Sequence, residues 1–158
     1  MTVTDAVDQL PGAGALMGLD PGTKTIGVAI SDGLRMTATA LETIKRRKFS
    51  QDAARLVELA QGRNVVGVII GLPRNMDGSE GPRAQSARAF ARNVAERLAL
   101  PVALWDERLT TAAAERTLLE ADTSRKRRAE VIDALAAQYI LQGALDRLAA
   151  IAEDKHER

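Results

Sequence analysis

The sequence predicts an α/β fold built on one five-stranded mixed sheet flanked by helices. Three observations predict it. Three short apolar runs follow one another between Ala15 and Ile44 with only turns between them, which suits an antiparallel meander. The run Val65-Val66-Gly67-Val68-Ile69-Ile70-Gly71 is unbroken, as in a strand covered on both faces. Stretches of helical period then separate the later strands, so those strands are parallel additions.

The elements follow in order. Residues 1–14 are polar and small and end in Pro11, Gly12 and Gly14, so they read as a flexible N-terminal arm. Ala15 to Asp20 is the first strand and ends in an acid, and Pro21-Gly22 marks a turn. Ile26 to Ile30 is the second strand, and Thr37 to Ile44, alternating threonines with apolar residues, is the third. Phe49 to Gln61 carries Ala53, Leu56, Val57 and Ala60 at helical spacing, with Ser50 as a possible cap and Gly62 as a stop. Val65 to Gly71 is the fourth strand. Leu72 to Gly81 is a loop. Pro82 to Ala99 is a helix with Ala87, Phe90, Ala91, Val94 and Leu98 inward. Pro101 to Trp105 is the fifth strand and runs into Asp106-Glu107-Arg108. Thr110 to Ala121 is a helix, Arg125-Lys126-Arg127-Arg128 a basic hinge, and Ala129 to Ala150 a long closing helix. The organisation is thus one domain over residues 15–150, with a polar C-terminal tail at 151–158.

Composition narrows the function. The 158 residues are about one domain's worth. There is no cysteine, and the one histidine is His156. A disulfide scaffold, a thiolate zinc site, a histidine cluster and a catalytic triad are therefore excluded. Lys plus Arg number 22 and Asp plus Glu 21, a net charge of +1, so any attraction for nucleic acid must come from local basic clusters. Aromatic residues are 3%, too few for a base-stacking platform. No apolar run is long enough to span a membrane, and the start lacks a basic region followed by an apolar one. A cytoplasmic protein is the expectation.

Three carboxylate positions then stand out. Asp20 ends one apolar strand, Asp106-Glu107 ends another, and Asp133 lies in the closing helix. On that helix Asp133 shares a face with Ala129, Ala136, Ala137, Ile140 and Ala144. An acid amid small apolar residues costs stability unless something neutralises it. Each acid alone has an ordinary reading: Asp20 as a turn acid, Asp106 or Glu107 as a helix cap, Asp133 paired with Arg128. One cause covers all three, a divalent metal held by strand ends and a facing helix. Oxygen ligands without His or Cys select Mg²⁺ or Mn²⁺. Two such ions roughly 3.5–4 Å apart would hydrolyse a phosphodiester without a protein nucleophile.

The motifs now resemble a known family. Gly18-Leu19-Asp20-Pro21-Gly22-Thr23-Lys24-Thr25-Ile26-Gly27-Val28-Ala29-Ile30-Ser31-Asp32 resembles the first motif of the YqgF family, bacterial proteins described as Holliday-junction resolvases or pre-16S rRNA nucleases. Gly71 to Ser79 resembles its second motif and Asp106-Glu107-Arg108-Leu109-Thr110-Thr111 its third. Val131 to Ala137, with Ile140-Leu141-Gln142, resembles its closing-helix motif. The resemblance runs from Ala15 to Leu148, and four motifs in order make it specific. It implies an RNase H-like sheet, with Asp20, an acid of the Asp106-Glu107 pair and Asp133 as catalytic and metal-holding carboxylates. Neighbours on a strand point to opposite sides, which favours Glu107, with Asp106 as a cap or supporting acceptor. Ala129 and Glu130 stand where lysines are expected in the family.

Other motif residues have two readings each. Thr23 and Lys24 beside Asp20 hold a phosphate or form an exposed hairpin. Asn75, with Asp77 and Ser79, precedes a helix start that suits an anion, or is an ordinary turn. Arg108 grips a phosphate or offsets the acids. The clusters Lys45-Arg46-Arg47-Lys48 and Arg125-Lys126-Arg127-Arg128 are phosphate contacts or solvated loops, the second being better placed before Asp133. The expected function is a metal-dependent nuclease on structured RNA, maturing the 5′ end of pre-16S rRNA. Cleavage of branched DNA at Holliday junctions, or non-catalytic binding and regulation, are the alternatives. A nucleotide-handling kinase would need two such domains, more than 158 residues hold. A monomer or a homodimer suits the sequence.

Overall fold

A computed structural model of the chain describes the backbone of residues 2–109 and 125–157, and the side chains of 2–109 and 132–155. The strands are β1 (Val3–Thr4), β2 (Ala15–Pro21), β3 (Thr25–Ser31), β4 (Ala38–Lys45), β5 (Val65–Leu72) and β6 (Val102–Asp106). The helices are α1 (Phe49–Gly62), α2 (Pro82–Leu98) and α3 (Arg125–Glu157), with short 3-10 turns at Val7–Gln9 and Glu107–Leu109. The strands form one sheet in the order β1-β6-β5-β2-β3-β4. β2, β3 and β4 pair antiparallel. β5 runs parallel to β2, β6 parallel to β5, and β1 parallel to β6. The meander and the parallel additions are therefore as the sequence predicts.

The sixth strand is a correction, and it comes from the stretch expected to be a flexible arm. Val3 and Thr4 extend the sheet beyond β6, and the Val102 N–H donates to the Thr2 carbonyl at 3.0 Å. Val7 and Leu10 are buried in the cluster that contains Trp105 and Leu145. The Arg35 guanidinium donates to the carbonyls of Gly14 (2.7 Å) and Pro11. A two-residue strand carries no periodicity, so a tertiary contact had to define it. The other end differs too. The basic run 125–128 is the first turn of α3 rather than a hinge, and residues 151–157 continue the helix rather than forming a tail. The helix expected over Thr110 to Ala121 lies outside the described residues.

Strand alternation divides the core into two layers. Met17, Leu19, Val28, Ile70 and Leu104 face α1 and α2, where Leu56, Phe90 and Val94 cover them. Of the inward positions expected of α2, Ala87, Phe90, Ala91 and Val94 are buried and Leu98 is half-buried; on α1, Leu59 is buried and Val57 only half so. Ser50 is not the α1 cap. That end is closed by the buried Asp52 carboxylate, which accepts from the Arg47 N–H at 3.1 Å. On the opposite layer Leu16, Ala29, Ile69, Ala103 and Trp105 face α3, met by Ala137, Ile140, Leu141 and Ala144. Four of those nine are alanines, so α3 lies close to the sheet.

Candidate active site

The α3 layer positions the acids. Leu16 and Gly18 on β2 face α3, where a Cβ at Gly18 would stand 2.7 Å from the Leu141 Cβ. Asp20, two residues on, has the same side by alternation. Asp20 pairs with Gly27 on β3. On its other flank the β2–β5 ladder runs through Leu19 and Ile70, so its next step sets Asp20 beside Gly71. Gly71 in turn pairs with Trp105 on β6. One level of the sheet thus reads Gly27, Asp20, Gly71, Trp105 across four strands about 4.8 Å apart.

Both flanking glycines are occupied from above. A Cβ at Gly27 would overlap the main-chain carbonyl of Asp133. A Cβ at Gly71 would stand 2.6 Å from Glu107 Oε1 and 2.7 Å from Ile140 Cδ1. Asp133 therefore lies over one side of Asp20 and Glu107 over the other, and the two glycines make room for them. The Asp133 carboxylate is held in place, since the Thr25 hydroxyl donates to its Oδ2 at 2.6 Å. Of its expected companions on the helix, Ala136, Ala137, Ile140 and Ala144 are all buried, and the side chain of Ala129 lies outside the described residues. The pairing weighed for Asp133 with Arg128 falls on a side chain outside the described residues.

Asp106 goes elsewhere. It is the last residue of β6, and Glu107 opens the 3-10 turn. The Arg108 N–H donates to Asp106 Oδ1 at 3.0 Å, which caps that turn. The Arg108 guanidinium also donates to Asp106, from Nη2 at 2.7 Å, and to the Met76 carbonyl at 3.3 Å. These hydrogen bonds hold the Asp106 carboxyl below its ordinary range, against the opposing effect of burial, with Arg74 at 3.8 Å adding to them. The Arg108 fork is thus engaged with Asp106 and the Met76 carbonyl within the chain.

Thr23 and Lys24 form the exposed β2–β3 turn, where the Gly22 N–H donates to the Thr25 carbonyl at 2.8 Å. Asn75 closes its own loop. Its amide donates to Ser79 Oγ at 2.9 Å, and Ser79 donates to Asp77, whose carboxyl is thereby lowered. Arg125, Lys126, Arg127 and Arg128 have a helical backbone and side chains outside the described residues. Sequence reasoning missed Thr25 as a partner of Asp133. Period-2 counting along β3 from Gly27 would have found it, because Thr25, Gly27 and Ala29 share the α3 side.

The donors at this rim are hard oxygens, a chemistry that fits a divalent cation of the Mg²⁺ type. Among the described residues, no three His, Asp or Glu side chains stand close enough to share an ion as folded.

A mixed sheet with an antiparallel leading meander and acids at the ends of its first and last long strands, facing a closing helix, defines an RNase H-like fold. A Thermus thermophilus RuvC solved in complex with a Holliday junction substrate superposes with a TM-score of 0.51 over 84% of this chain and 93% of that one, at 16% identity. The family described as "RuvX: Holliday junction resolvase" matches residues 14–147, and the chain belongs to it. A protein of Cereibacter sphaeroides named "Putative pre-16S rRNA nuclease" is 68% identical over 146 residues, 92% of this chain and 91% of that one. One of the same name from Paracoccus denitrificans is 67% identical over 141 residues, 89% of each chain.

Proposed function

We propose that this chain is a metal-dependent endonuclease of structured RNA that processes the 5′ end of pre-16S rRNA in the cytoplasm, working as a monomer or a homodimer. One observation carries the reading: Asp20 stands in the sheet between two glycines, one covered by Asp133 and the other by Glu107. Nothing in sheet stability calls for an acid at each of these three partly buried positions, since burying a charge costs stability. The 68% identity to a protein bearing the rRNA-nuclease name supports the substrate.

Asp20, Glu107 and Asp133 would hold Mg²⁺ or Mn²⁺, in a one- or two-ion arrangement. When bound, such an ion supplies Lewis-acid polarisation of the phosphodiester and an acidified water. The chain's own residues do the rest. Thr25 fixes the Asp133 carboxylate through its hydroxyl. Asp106, tied to Arg108, pins the strand end from which Glu107 departs. Thr23, Lys24, Asn75 and Arg108 line the approach to the rim. Arg125, Lys126, Arg127 and Arg128 neutralise backbone phosphates, so binding weakens as salt rises.

The test is cleavage of a leader–16S RNA fragment beside a four-way DNA junction, each with Mg²⁺ or Mn²⁺. Wild type is compared with Asp20→Asn, Glu107→Gln and Asp133→Asn. Trimming of the RNA by wild type alone supports the reading. Equal cutting by Asp20→Asn overturns it. Cutting of the junction but not the RNA selects the second reading, which the family's description favours. Binding unaffected by all three variants, with no cleavage, points to a non-catalytic regulator.

A further inference from the structure

On the opposite side of the same rim lies a cavity of about 310 Å³, between the β2–β3 turn and α2. Its walls differ from the acidic face, for no carboxylate stands among the described residues that line it. Arg83, Ser86 and Phe90 enter it from α2 at positions i, i+3 and i+7, one helical face. Arg46 enters from the far side and is anchored twice. Its Nη1 donates to the Gly22 carbonyl at 2.6 Å, and its guanidinium carbon lies 5.3 Å from the Phe90 ring centre. Pro21 and Pro73 add rigid apolar walls without N–H donors.

This chemistry suits a nucleotide better than a bare anion. Arg83 with the Ser86 hydroxyl offers a phosphate charge and hydrogen bonds. A fixed guanidinium and proline rings offer an unstacked base a surface to lie on. The volume is at the low end of small-ligand pockets, about 300 Å³, which admits one nucleotide and no duplex. Position links it to the acids, since Pro21 directly follows Asp20 and Pro73 lies two residues after Gly71.

We propose that this cavity takes one unstacked nucleotide of the substrate strand, beside the phosphodiester presented to Asp20. The placement rests on the nuclease reading above; the nucleotide chemistry of the cavity does not. The full chain is titrated with uridine 5′-monophosphate and, separately, with ribose 5-phosphate while backbone amide shifts are followed. The expected result is shifts centred on Gly22, Thr23, Ser86 and Ala87, with the nucleotide bound about tenfold more tightly than the sugar phosphate, the size of one stacked base. Arg46→Gln should bring the two probes to equal affinity. Ser86→Trp, an exposed position on α2 that tolerates a large side chain, should abolish both sets of shifts and keeps the test valid if Arg46→Gln fails to fold. Shifts elsewhere, equal affinities in the wild type, or no effect of Ser86→Trp overturn the proposal. Absent shifts with Asp20-dependent cleavage overturn this proposal and leave the nuclease intact. Present shifts with Asp20-independent cleavage overturn the placement beside a cut.

Discussion

On the face covered by α1 and α2, the strands present Leu19, Val28, Ile70 and Leu104, and the helices answer with Leu56, Phe90 and Val94. On the α3 face, the neighbouring strand positions are Gly18, Gly27, Ala29 and Gly71; Gly27 is met by main-chain atoms of Asp133, Gly18 by Leu141, and Gly71 by Ile140 and Glu107. The first face gains stability from apolar volume and keeps its helices a full side chain away. The second gives up that volume at its glycines, so that at Gly27 the helix backbone can touch the sheet. A short carboxylate on the helix then reaches strand partners directly, as Asp133 reaches Thr25. Close approach is what the acids need, and small residues are how the chain provides it.

Substitutions test that contrast. The largest expected effect is Asp20→Asn, with cleavage reduced about 10³-fold, about 4 kcal/mol of barrier, and the urea midpoint unchanged or raised. Unaltered cleavage would break the functional half of the contrast. Next is Gly27→Val. Its side chain meets α3 main chain, which cannot rotate away, so about 3 kcal/mol of stability should be lost in urea denaturation. A midpoint like the wild type's would mean that α3 does not bear on β3. Leu56→Ala on the other face should cost about 2–3 kcal/mol by leaving a cavity, while the folded fraction keeps its turnover. A matching fall in turnover would show that the two faces are coupled.

Smaller still is Thr25→Val, which keeps shape and removes the hydroxyl bound to Asp133. About tenfold in cleavage should be lost, in keeping with about 1.5 kcal/mol for a hydrogen bond to a charged group, and Thr25→Ser should restore it. The smallest effect concerns pH. Asp106 titrates below its ordinary value of 3.8 in the folded chain because Arg108 donates to it. A lowered carboxyl adds stability that is present above the unfolded value and is lost as pH falls through the folded one. Asp106→Asn should therefore lower stability at neutral pH by under about 1 kcal/mol after solvent screening, and flatten the acid limb below about pH 4. An unchanged acid limb would mean that the Arg108 pairing contributes nothing.

Much of this layout is legible in the residues themselves. The meander, the buried parallel strand and the amphipathic α2 follow from apolar period, because period 2 and period 3.6 leave different marks. Asp133 is conspicuous because its helix face is otherwise alanine and isoleucine. Thr25 is less so, since a threonine in a strand is ordinary until its partner is known. β1 was not readable at all, because two residues carry no period and their place beside β6 depends on Val7 and Leu10 finding the α3 layer.

By itself the sequence determined the class of fold and made the acids conspicuous, since both follow from local pattern. Only the tertiary structure decided that Gly27 and Gly71 flank Asp20, that Arg108 is given to Asp106, and that Arg46 is fixed over Phe90 beside a cavity. Each of those joins residues far apart in the chain, and no local period encodes which distant atoms will meet across a sheet.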